Sequence, residues 1–180
     1  VDSNGNLNTI SDQPLIQAAK NAGVAPLMVI TNIGEDGGFS SEIARSVLSD
    51  NTKTDRLLDN VIKVMNEKGY YGLDIDFEYI FPEDREKYNA FIRKTVNKLR
   101  PLGYQVTTAL APKTSAGQVG RLYEAHDYPV HGGSVDHAIL MTYEWGFTFS
   151  PPRAVAPLNQ VRRVLQYAVT AIPNRKIFMG

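Results

Sequence analysis

Between Gly72 and Glu78 the chain reads Gly-Leu-Asp-Ile-Asp-Phe-Glu, and few sheets can absorb that order. Successive side chains of a strand point to opposite faces. Leu73, Ile75 and Phe77 therefore share one face, and Asp74, Asp76 and Glu78 the other. At roughly 3.3 Å per residue, neighbouring carboxylates stand about 6–7 Å apart. The rest of the chain alternates strand and helix patterns, which implies a parallel sheet with helices outside. A doubly wound sheet and an eight-stranded barrel both fit that alternation. An open sheet would press the carboxylate row against an apolar helix, whereas a barrel points it inward. The expected fold is therefore α/β, a TIM (β/α)8 barrel. A complete barrel takes about 250 residues, and about five strand–helix units are readable here. Residues 1–180 are accordingly expected to be a single catalytic domain, incomplete, with early strands and the last strand missing.

The units follow from pattern. Pro14 and Gly23 bracket a helix carrying Leu15, Ile16, Ala18 and Ala19. Leu27 to Asn32 is an apolar strand. Ser40 or Ser41 caps a short helix with Ile43, Ala44, Val47 and Leu48. Leu57, Leu58, Val61, Ile62 and Met65 form a longer helical stripe that ends near Gly69. After the acidic strand, 71–78, Pro82-Glu83-Asp84 opens a helix whose stripe is Tyr88, Phe91, Ile92, Val96 and Leu99. A strand from Tyr104 to Ala111, a short helix at 118–125 and a strand from Val135 to Tyr143 come next. Leu158, Val161, Val164, Leu165 and Ala168 mark a last helix, and Lys176 to Met179 one more strand. No G-x-G-x-x-G loop follows the first strands, which speaks against a nucleotide-binding sheet. The acids sit at the C-terminal end of their strand, where a barrel carries its chemistry.

Charge excludes some partners. Lysines plus arginines equal aspartates plus glutamates, at 19 each. That balance gives no reason to expect nucleic acid or an anionic membrane as partner. There is no cysteine, so thiolate metal sites and disulfides are absent. No apolar run approaches the roughly 20 residues of a membrane span. The chain begins at Val1 without a methionine and shows no signal peptide.

A row of like charges has three readings: a solvated acidic face, a calcium or magnesium site, or catalysis. Surface strands usually mix charge signs, and the rigid strand spacing is wide for a single ion. Catalysis fits best. Glu78, last on the strand, projects furthest toward the cleft, with Asp76 beside it and Asp74 deeper. Mutual repulsion raises at least one pKa, as a general acid needs, and the three titrate as a set. A second constellation, Met141-Thr142-Tyr143-Glu144-Trp145-Gly146, lies where a later strand ends. Tyr143 there occupies a position parallel to Glu78. Tyr79, Phe81 and Trp145 offer flat faces to sugar rings, while Phe147 and Phe149 read as loop packing. Asp127 and Tyr128, on a loop after a strand, are expected to reach the cleft. Lys113 reads as a surface lysine. His126, His131 and His137 lack metal-ligand spacing and read as core or solvated residues.

Gly72-Leu73-Asp74-Ile75-Asp76-Phe77-Glu78 resembles the D-G-x-D-x-D-x-E signature of glycoside hydrolase family 18, the chitinase-like barrels, and Met141-Thr142-Tyr143-Glu144 resembles its M-x-Y-D motif. Longer blocks, Tyr70 to Tyr79, Ala109 to Ser115, Leu122 to Tyr128, Met141 to Gly146 and Val161 to Leu165, are similar to the family's spore-germination and cortex-lytic N-acetylglucosaminidases. Tyr71 replaces the first Asp of the signature and Glu144 the Asp of the second motif; both departures fit that subgroup. The resemblance implies cleavage of N-acetylglucosaminyl bonds in peptidoglycan, with no cofactor and no metal. This family departs from the two-carboxylate scheme by using the substrate itself. The substrate's N-acetyl oxygen would attack the anomeric carbon, with Glu78 as general acid and then base. Asp76 would hold the acetamido N–H, Asp74 would tune Asp76, and Tyr143 would bond the acetamido oxygen. Glu144, Trp145, Tyr79, Asp127 and Tyr128 would bind substrate. The resemblance also implies a monomer when complete, working at the spore or cell envelope or secreted. Rival readings are a chitinase or endo-N-acetylglucosaminidase on another glycan, and a silent sugar-binding barrel, against which the presence of Glu78 argues. Made alone, residues 1–180 are expected to be inactive and poorly behaved.

Overall fold

The structure is a computed structural model, and it describes residues 1–146 and 149–180. Five strands, β1 (Leu27–Thr31), β2 (Gly72–Asp76), β3 (Gln105–Leu110), β4 (His137–Leu140) and β5 (Ile177–Met179), form one sheet. Every neighbouring pair is parallel, and the spatial order is the chain order. A doubly wound sheet reverses its strand order at a switch point. Here there is no reversal, which is the barrel pattern.

The helices are α1 (Gln13–Asn21), α2 (Ser41–Leu48), α3 (Asn51–Lys68), α4 (Arg85–Leu99), α5 (Tyr128–Ser134) and α6 (Leu158–Ala171). Their boundaries have local causes. The Ser40 hydroxyl accepts from Ile43 N–H at the start of α2, and Asp50 accepts from Thr52 and Lys53 N–H at the start of α3. Gly69, at φ 76°, closes α3 in a left-handed turn that a side chain would resist.

The core lies between helices and sheet. Leu73, Ile75 and Phe77 are buried with Leu57, Leu58, Val61, Ile92 and Val96. Phe77 stacks on Tyr88 and Phe91, with centroids 6.1 and 5.6 Å apart. Register sets the other face of the sheet: Val29 and Thr107 flank Asp74, and Thr31 flanks Asp76. On that face Val29 is 54% exposed and Phe178 52%. Among the described residues β1 and β5 each have one free edge. An apolar groove of about 700 Å³ runs along β1, lined by Leu7, Ile10, Leu15, Met28 and Val29.

Three local expectations need correction. The acidic strand stops at Asp76, not 78, because its last partner on β1 is Thr31. The strand expected to reach Tyr143 ends at Leu140, where Thr142 N–H turns back to the Leu140 carbonyl. Residues 118–125 form turns rather than a helix. The Glu124 carboxylate takes the Gly120 N–H, and Tyr123 and Glu124 N–H both close on the Gly120 carbonyl. The helix in this stretch is α5, which starts on an Asp127 cap with Pro129 in its first turn and runs through two glycines.

Candidate active site

Asp74 and Asp76 point from β2 to the sheet face opposite the helices, and Glu78 follows two residues past the strand. Asp74 is 7% exposed, and its Oδ1 accepts from the Thr107 hydroxyl on β3. Burial holds its pKa above the usual carboxylate range, partly offset by that hydrogen bond. Asp76 is pushed up to about 6, first by burial and then by the charge of Asp74. Glu78 is pushed up to about 7, by burial, then Asp76, then Glu144. The Oδ1 of Asp76 is buried and has no hydrogen-bond partner. A buried acceptor without a partner costs on the order of 1–3 kcal/mol.

Tyr143 and Glu144 arrive from the segment after β4. The Tyr143 phenol is raised by burial and by Asp76, Glu144, Glu78 and Asp74, so it stands within the field of the whole acidic group. Its ring lies where a side chain at position 180 would go: a Cβ there would come within 2.7 Å of it. The expected set of Asp74, Asp76, Glu78, Tyr143 and Glu144 is therefore gathered at one end of the sheet. Two residues of this rim hold left-handed backbone despite having side chains, Tyr79 at φ 53° and Glu144 at φ 59°. Each costs on the order of 1–3 kcal/mol, a strain that clusters at functional sites.

Of the aromatic residues, Tyr79 is 43% exposed, with its ring 6.4 Å from that of Phe39. Trp145 is partly buried against the core, and its indole N–H donates to the Thr142 carbonyl. Phe81 carries the guanidinium groups of Arg45 and Arg121, 3.9 and 4.8 Å from its ring centre, so it is not a free sugar platform. Phe149, read as loop packing, is 89% exposed. Phe147 lies outside the described residues.

Asp127 and Tyr128 do not serve the cleft as expected. Asp127 is 7% exposed and accepts from Arg85, Asn89 and the Val130 N–H, because it caps α5 and docks that helix on α4. Tyr128 is fully buried, its hydroxyl donating to the Ala111 carbonyl and accepting from Lys113 N–H. Lys113, read as a surface residue, is 1% exposed; its ammonium donates to the His126 carbonyl. His126 and His131 are core residues, and burial lowers them to about 4 and about 3.

Sequence reasoning missed Asn32. Its buried amide accepts from Glu78 N–H and donates to the Glu78 carbonyl, both at 2.9 Å. The available signal was a polar residue closing an apolar strand run. Among the described residues no group of three or more histidine or acidic side chains is disposed to hold a metal ion, and no helix is long and apolar enough to cross a membrane.

Comparison with known proteins places this geometry in context. The sequence model of Glycosyl hydrolases family 18 matches residues 5–180. The cortical fragment-lytic enzyme of Bacillus subtilis (strain 168) is 48% identical over 154 residues, 86% of this chain and 36% of that protein. The crystal structure of the Bacillus megaterium QM B1551 spore cortex-lytic enzyme SleL superposes with a TM-score of 0.95 at 41% identity, over 100% of this chain and 41% of that one. A chitinase from Chromobacterium violaceum ATCC 12472 shares the fold, with a TM-score of 0.92 at 20% identity, over 100% of this chain and 57% of that one. The chain thus spans well under half the length of the first two relatives.

Proposed function

The chain belongs to glycosyl hydrolases family 18, and from that membership we propose that it carries the catalytic carboxylates of a retaining N-acetylglucosaminidase acting on bacterial peptidoglycan, spore cortex in particular. The observation that carries this reading is the acidic row that leaves β2, Asp74 and Asp76 on one face of the strand and Glu78 just past it, with burial and the charge of acidic neighbours raising Asp76 to about 6 and Glu78 to about 7. An acid of that pKa is half protonated near neutrality, where proton donation to a leaving oxygen is most effective.

The proposed roles are those that the family membership implies. The substrate's acetamido oxygen attacks the anomeric carbon while Glu78 gives its proton to the departing sugar. The C–O bond to that sugar breaks, and a bond to the acetamido oxygen forms, giving a cyclic oxazolinium-type intermediate. Asp76 accepts the acetamido N–H and balances the positive charge that develops there. Asp74, held by Thr107, sets the charge that Asp76 feels. Tyr143 donates to the acetamido oxygen. Glu78, now ionised, takes a proton from water as the water oxygen bonds the anomeric carbon. The bond from that carbon to the acetamido oxygen breaks, the acetamido group is regenerated and the starting configuration is restored. Tyr79, Trp145 and Glu144 border the sugar.

The five units are proposed as part of a (β/α)8 barrel whose other strands close on the free edges of β1 and β5. Residues 1–180 alone would then be inactive and prone to self-association. The same reading assigns the complete protein, a monomer, to the spore or cell envelope. The test is digestion of purified cortex fragments by the full-length enzyme and by Glu78→Gln. Products with N-acetylglucosamine at the reducing end, and a loss of at least about a hundredfold in the variant, are expected. Reducing muramic ends, faster turnover of chitin oligomers, or a variant within a few-fold of wild type would overturn the reading.

A further inference from the structure

Glu78 lies where the sheet has already ended. The last pair between β1 and β2 is Thr31 with Asp76, and the last between β2 and β3 is Ile75 with Thr108. Neither ladder reaches residues 77–79, yet the proposed acid must be held to a fraction of an ångström.

Side chains take over from the ladder. From the β1 side, the Asn32 amide bonds both polar groups of the Glu78 main chain, as a neighbouring strand's peptide would. Asn32 is itself fully buried, and its Nδ2 also donates to the Ser40 carbonyl. From the β3 side, His126 is 1% exposed. Its Nδ1 lies 2.7 Å from Ala111 N, a backbone donor, so it must accept. The proton therefore sits on Nε2, which donates to the Phe77 carbonyl at 3.0 Å. The Ser41 hydroxyl donates to the carbonyl of Tyr79 next along.

We propose that Asn32, just past β1, and His126, on the segment between β3 and α5, are positioning residues that clamp the main chain at Phe77 and Glu78 from its two sides and so aim the Glu78 carboxyl at the leaving oxygen. Neither touches the reacting atoms. The proposal rests on Glu78 being the acid of the reaction assigned above. Loss of the clamp lets residues 77–79 relax toward water. Glu78 then escapes the burial, and the charges of Asp76 on β2 and Glu144 after β4, that hold its proton. A misplacement of about 1 Å costs roughly a hundredfold in rate.

The two nitrogens of His126 allow a test that stability alone cannot mimic. Asparagine reproduces the Nδ1 position and can still accept from Ala111 N–H, but loses the donor to Phe77. Glutamine reproduces Nε2, keeping that donor and losing the acceptor. Each sacrifices one buried hydrogen bond. In the full-length enzyme on cortex fragments, His126→Asn is expected to lower kcat by roughly 10–100-fold with KM changed less than a few-fold. Its alkaline limb of kcat/KM should move to lower pH. His126→Gln should keep both kcat and the limb near wild type. Asn32→Ala should behave like His126→Asn. Equal losses in the two His126 variants, or an unmoved limb in His126→Asn and Asn32→Ala, would overturn the clamp. If Asn32→Ala does not fold, the His126 pair decides alone. A Glu78→Gln control separates the two layers. Activity retained in that control sinks the functional reading, whereas an inactive control with wild-type clamp variants sinks only the clamp.

Discussion

Tyr79 and Glu144 form a matched pair at the mouth of the sheet: each directly follows a proposed site residue, Glu78 or Tyr143, and each holds left-handed backbone, at φ 53° and 59°. The turn after β2 and the turn after β4 thus pass through the same uncommon conformation, and the charge of Glu144 contributes to raising Glu78.

Removing that charge gives the first prediction. Glu144→Gln should lower the pKa of Glu78, so the alkaline limb of kcat/KM should move to lower pH. Glu144→Gly should shift the limb in the same direction and also relieve backbone strain, for a gain of up to about 1 kcal/mol in stability. pH–rate profiles and denaturant midpoints of the two variants check both parts.

The raised carboxyls make stability depend on pH in a defined sense. Asp76 and Glu78 have folded pKa values of about 6 and about 7, above their unfolded values. Their contribution is therefore fully present below about pH 4 and is lost as pH rises through about 6 to 7. Glu78→Gln should match wild type near pH 4 and exceed it at pH 8. With solvent screening at this half-buried site the gain is on the order of 1 kcal/mol. Urea midpoints at the two pH values measure it, and a variant less stable than wild type at pH 8 would contradict the burial of Glu78.

Asp127 separates framework from cleft. Its carboxylate holds Arg85, Asn89 and the α5 N-terminus together. Asp127→Ala should cost about 2 kcal/mol, less than a fully enclosed pair because Arg85 can reach water. KM for cortex fragments should stay within a few-fold of wild type. A large rise in KM with unchanged stability would restore Asp127 to the substrate site.

Much of this was legible in the sequence because it rests on local periodicity. The alternation of Leu73, Ile75 and Phe77 with three acids sets which face of β2 meets the helices, and helical stripes such as Leu57–Leu58–Val61 lie in the core as expected. What escaped was decided by partners far along the chain. Asn32 meets Glu78 across 46 residues, so nothing local distinguishes it from a loop asparagine. An aspartate that caps a helix, as Asp127 does, reads in sequence like one that faces a cleft. Lys113 is buried because the His126 carbonyl, 13 residues on, accepts its ammonium. Phe81 reads as an open ring until Arg45 and Arg121 are folded onto it.

The central claim is that Asp76 receives the substrate's acetamido group beside Glu78, and a thiazoline mimic of the cyclic intermediate probes it most directly. Calorimetry of the full-length enzyme should show the mimic binding to wild type. Asp76→Asn should bind it at least about tenfold more weakly, the loss expected for one charge-assisted hydrogen bond. A mimic that fails to bind wild type, or that binds wild type and Asp76→Asn equally, would contradict the account.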